Sequence, residues 1–213
     1  MSDERKGGIA LIGSMAVLVF VMVLHPTAHD LLAPGKLERV TLVNATLHGI
    51  AIAVLPVLVL GSLSLTRRLD GPDRLAVAAL AAYGTATVAG LIAATLSGFA
   101  ATGVAREMMA APVQDRRLWS MLLELNGHLN RAFAKVLTVA SAAAILLWSV
   151  AMLRRDFAKG VAVYGVGVSA LTILAVVAGK LVLDVHGYGL VVLTQAIWFI
   201  AAGVLLYAAA PRL

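Results

Sequence analysis

The chain has no cysteine, which excludes disulfides, thiolate metal ligands and a cysteine nucleophile. Charge is also scarce. Only 13% of the 213 residues are charged, against about 25% in an ordinary soluble domain. With 61% hydrophobic residues and a mean hydropathy of +0.95, the chain has too little polar surface to keep a soluble fold solvated. Five runs, roughly 7–24, 40–66, 75–105, 136–153 and 188–211, contain no charged side chain, and a sixth, 160–183, contains only Lys180. Each is long enough to cross about 30 Å of hydrocarbon as a helix. A membrane-spanning β-barrel needs alternating polar residues, which runs such as 50–60 lack.

The expected fold is therefore an all-α integral membrane protein of one transmembrane domain, 1–213. Its six helices fall near 7–25, 40–66, 75–99, 132–153, 160–184 and 188–210, with an amphipathic outer segment over 112–131. The start of the chain, 1–6, is polar, and no small-residue cleavage pattern precedes His25-Pro26, so the first run is read as a retained helix. The sequence pI of about 10.1 would suggest nucleic acid in a soluble protein. Here the positive charges flank helices, so the expected partner is the lipid bilayer and not nucleic acid. Arg67, Arg68 and Arg74 crowd one short turn, and Arg154, Arg155 and Lys159 crowd another. The positive-inside rule then puts both termini in the cytoplasm, in what reads as a bacterial inner membrane.

A pattern recurs along the chain. Asn44, Arg67-Arg68, Tyr83-Gly84 and Ser97-Gly98 are echoed by Asn130, Arg154-Arg155, Tyr164-Gly165 and Ala178-Gly179. This is compatible with a parallel duplication of a two-helix hairpin, spans 2–3 and 4–5. Arginine pairs at turns and tyrosines near interfaces also arise in unrelated membrane proteins, so both readings stay open. Pro56 sits in the middle of the second run, where it should kink a helix.

All five histidines, His25, His29, His48, His128 and His186, fall on one side of the membrane in this topology. His25 and His29 have the i, i+4 spacing of metal ligands on a helix, although an interfacial loop with wet imidazoles gives the same spacing. His48 lies within a span, where a polar ring is costly against lipid and should face the bundle interior. Asn44 is one turn above it on the same face. Lys180 and Asp184 are also i, i+4, with His186 close behind, and an ionisable group within a span is a functional-site hypothesis. Glu124 and His128 share a face of the amphipathic segment.

These residues define the expected site. Metal ligands would come from His25, His29, His48, Asp184 and His186. His48 and His128 are candidates for cofactor binding, and Asp30, Glu124 and Lys180 for acid–base work. The ligand would be a transition metal (zinc, copper or iron), a haem or another small molecule. For haem the pattern is incomplete, because only His48 is clearly inside a span and the matching region, 130–134, has no histidine. Two other functions stay open. One is an accessory or assembly subunit of a membrane complex, or a homo-oligomer, with histidines that only satisfy hydrogen bonds. The other is a small transporter with a Lys180, Asp184 and His48 relay.

Overall fold

The computed structural model describes residues 1–26, 37–70 and 74–209. Among these there are six helices and no strand: α1 (Asp3–Val23), α2 (Leu37–Leu69), α3 (Leu75–Ala110), α4 (Arg116–Arg154), α5 (Lys159–Val177) and α6 (Val185–Ala209). All six are long and apolar enough to cross a membrane. The protein is thus an all-helical chain of the integral membrane type.

Small residues set the packing. Methyl groups on Gly8 or Gly203 would meet the other residue's carbonyl oxygen at 2.6 and 2.9 Å, so α1 and α6 touch backbone to backbone. A methyl on Gly61 of α2 would collide with Leu11 of α1 at 2.8 Å. Close approach of this kind is how helices gain dispersion energy where lipid removes the hydrophobic drive. The core that results joins Leu11 and Met15 of α1, Leu58 and Leu65 of α2, Tyr83 of α3, Trp148 of α4 and Trp198 and Phe199 of α6. Trp148 and Trp198 stack with centroids 6.0 Å apart, and the Trp148 indole N–H donates to Thr66 Oγ1 at 3.0 Å.

The helix ends define two faces. At the arginine end, α2 turns into α3 and α4 into α5 through short connections. The Arg155 guanidinium donates to the Asp70 carbonyl, so the two turns touch. Arg74 and Ala158, each the residue just before the second helix of its hairpin, both have left-handed backbones, φ 52° and 55°. The two hairpins share this feature, but their tyrosines differ. Tyr83 is buried in the aromatic core, whereas the Tyr164 hydroxyl donates to the Thr194 carbonyl.

At the other end, α2, α3 and α4 are much longer than the bilayer requires. Their 33, 36 and 39 residues span about 50, 54 and 58 Å at about 1.5 Å per residue, against roughly 30 Å of hydrocarbon. Because the arginine-rich turns tie their far ends together, the excess stands at the histidine end. The segment 112–131, expected as a separate amphipathic helix, is for the most part the first half of α4 and is continuous with the span. The third helix likewise runs past residue 99 to Ala110, with one π-helical turn, Leu96–Ala100, inside it. α2 stays helical through Pro56.

The fifth helix is shorter than its hydropathy suggests. It ends at Val177, not at residue 184. Gly179 takes a left-handed backbone, φ 66°, its N–H donates to the Val176 carbonyl at 3.1 Å, and the Lys180 N–H donates to the Ala175 carbonyl at 2.8 Å. This is a Schellman ending, which uses glycine because a side chain disfavours that φ.

Candidate histidine site

The site is built where the end of α1 meets the upper part of α2. α1 stops at Val23, and the chain turns through Leu24 to bring His25 back over the bundle. On α2, Asn44 and His48 are one turn apart and face inward, 5% and 8% exposed. His25 Nε2 and His48 Nε2 lie 3.3 Å apart. The rings meet edge to face, with centroids 4.9 Å apart and planes at 74°.

Each imidazole is held from behind by a carbonyl. His25 Nδ1 is 2.7 Å from the Pro26 carbonyl oxygen, and His48 Nδ1 is 2.8 Å from the Asn44 carbonyl oxygen. A carbonyl oxygen only accepts, so both Nδ1 atoms carry the hydrogen and donate. Burial pushes the His25 imidazole below its ordinary value, and the bond to Pro26 opposes that shift.

The π-helical turn of α3 forms the wall behind His48. A methyl group on Gly98 would sit 2.4 Å from His48 Cβ and 2.7 Å from its Cγ, so the ring root rests directly on the backbone. Asn44 Nδ2 donates to the Ser97 carbonyl at 2.8 Å. From the other side, Asn126 Nδ2 of α4 donates to the Leu96 carbonyl at 3.1 Å. Leu96 O also accepts the Ala101 N–H, the i to i+5 bond that defines the turn.

The remaining expected site residues are distributed as follows. His186, at the start of α6, lines a cleft of about 380 Å³ together with His25, Met22 and Gly189. Asp184 is not paired with Lys180. Its Oδ1 accepts the Gly187 N–H at 2.8 Å and caps the first turn of α6. Because the Schellman ending puts Lys180 and Asp184 outside any helix, the shared helix face expected from their spacing does not form. His128 is exposed on α4, with its contacts on its own helix: Glu124 at 3.9 Å and Arg131 at 3.1 Å. It is not beside His48. His29 and Asp30 lie outside the described residues. Among the described residues no three His, Asp or Glu side chains are grouped closely enough to hold a metal ion by themselves.

Sequence reasoning placed Asn44 on the face of His48 but missed Asn126, the π turn and Gly98.

No family model matches the chain, and neither a curated protein nor a solved structure matches it.

Proposed function

We propose that this membrane protein binds one transition-metal ion, of the zinc or copper type, between His25 and His48 at the extracytoplasmic face of a bacterial inner membrane. One observation carries the reading. With both Nδ1 hydrogens committed to carbonyls, each neutral imidazole has only a lone pair at Nε2, and the two Nε2 atoms lie 3.3 Å apart. That contact is repulsive unless a cation lies between the rings.

A proton is the simplest such cation and would give an N–H···N bond. Burial works against it, since it holds His25 below its ordinary imidazole value. A metal ion takes neutral imidazoles as ligands, and a donated Nδ1–H···O=C bond is the usual support behind a metal-bound histidine. The separation also fits. Two nitrogens at about 2.0–2.1 Å from a tetrahedral ion are roughly 3.3–3.4 Å apart.

Haem fits less well. Axial ligands stand on opposite sides of the iron, roughly 4 Å apart at similar bond lengths. Two protein nitrogens leave half of a tetrahedral metal's coordination sphere to water or to a bound molecule, unlike the closed sphere of a structural zinc. The arrangement suits an ion that is exchanged or that meets a substrate.

A second reading, an accessory subunit of a membrane complex, is supported by a different observation. Leu118, Met121, Leu122, Leu125 and Leu129 form an exposed apolar stripe on the protruding half of α4.

Elemental analysis tests the first reading. The detergent-purified protein, equilibrated with zinc or copper and desalted, should retain one ion per chain, and His25→Ala and His48→Ala should each lose it. Retention by both variants would overturn the reading.

A further inference from the structure

We propose that the π turn of α3, clasped by Asn44 and Asn126, holds His48 in place beside His25 and so selects the metal. This rests on the reading of His25 and His48 as a metal pair. The clasp is a continuous polar chain through three helices. Asn126 of α4 holds the Leu96 carbonyl. Asn44 of α2 holds the neighbouring Ser97 carbonyl. The carbonyl of Asn44 in turn holds His48 Nδ1.

Both bonds fall on the π turn. An α-helix bonds each carbonyl to the N–H four residues later, whereas this turn bonds Leu96 O to the Ala101 N–H five residues later. Here the shifted carbonyls take two asparagine amides, each contributed by a different helix. Gly98, at the centre of the turn, brings backbone against the root of His48, so that root has no room to move toward α3.

The consequence is geometric. His48 is held at Cβ and Cγ by Gly98 and at Nδ1 by the Asn44 carbonyl, and its Nε2 lies 3.3 Å from His25 Nε2. That is the edge of a tetrahedron about an ion with bonds of about 2.0–2.1 Å. A two-coordinate copper(I) ion takes its two ligands in a line, roughly 4 Å apart at comparable bond lengths. On the His48 side the pair cannot open to that distance, because Gly98 and the Asn44 carbonyl hold that ring. Asn44 and Asn126 are therefore positioning residues, and metal preference is the property they control.

The test is titration with zinc(II) and, anaerobically, with copper(I), of the wild type, Asn44→Ala and Asn126→Ala. Asn126 touches neither imidazole, which makes its variant the more telling one. Zinc affinity should fall by roughly tenfold or more in each variant, as for other supports behind metal ligands. Copper(I) affinity should hold or rise, so the zinc-to-copper(I) ratio falls. Parallel loss of both affinities, or an unchanged ratio, would overturn the inference. His48→Ala is the control that separates the two claims. If it leaves zinc binding intact, the metal pair itself is wrong. If it abolishes zinc binding while the asparagine variants keep the wild-type ratio, the pair stands and the clasp does not select.

Discussion

His25 and His48 are 23 residues apart in sequence, one beyond the end of α1 and the other within α2, yet their Nε2 atoms meet at 3.3 Å with both Nδ1 atoms turned away to carbonyls. Two imidazoles buried in this way form an incomplete arrangement, because each has only a lone pair at Nε2. A cation completes it, and the predictions below follow from that and from the packing that holds the pair.

The first concerns pH. Burial lowers the His25 value below the ordinary 6.5, so the unfolded chain takes up a proton before the folded one. The folded state therefore keeps the full benefit of a neutral His25 above pH 6.5 and loses it as pH falls through the window beneath that value. Melting of the metal-free protein in detergent should show a lower Tm at pH 5.5 than at pH 7.5. In His25→Ala this difference should shrink. An unchanged pH dependence in that variant would remove His25 as its source.

The second concerns Gly165. A methyl group there would lie within 2.3 Å of both Ser149 Oγ and Trp198 Nε1. Both side chains are fully buried, so neither can swing out of the way. Gly165→Ala should destabilise the bundle by about 1–3 kcal/mol through overpacking, without altering metal content. A Tm equal to that of the wild type would show that the α4–α6 packing around α5 is looser than described.

The third concerns Asp184, which the structure makes a helix cap and not a ligand. Asp184→Ala should cost about 1 kcal/mol of stability, the usual effect of removing a cap, and leave bound metal unchanged. Loss of metal in this variant would return Asp184 to the site.

The fourth concerns the aromatic core. Thr66→Val removes the acceptor of the Trp148 indole N–H at similar volume. A buried donor left without a partner costs about 1–3 kcal/mol. Thermal melting followed by tryptophan fluorescence should detect the loss, together with a shift in the Trp148 emission. Emission and Tm equal to those of the wild type would mean that the indole finds another acceptor.

The six spans were legible because long charge-free runs are a matter of composition, and only helices satisfy their own backbone in lipid. The inward face of His48 was legible for a related reason, the cost of a polar ring against lipid. The meeting of His25 with His48 was not, since nothing in the spacing of two residues on different elements says that a turn will fold one over the other. The π turn left no signature either, because it differs from an α-helix by one residue of register and its outside partners are asparagines on two other helices. Two differences had visible signals. Gly179 followed by Lys180 is the pattern of a helix end, and it outweighed the apolar run that seemed to continue to residue 184. Between Arg116 and Arg154 no proline interrupts the chain, so the amphipathic segment and the span had no reason to separate.

X-ray absorption at the zinc edge of the zinc-loaded wild-type protein tests the central claim most directly. The pairing of His25 with His48 predicts two imidazole nitrogens at about 2.0–2.1 Å, with the outer-shell scattering of histidine rings, the rest of the sphere being light atoms. A spectrum with no imidazole scattering, or one matching zinc in buffer, would contradict it.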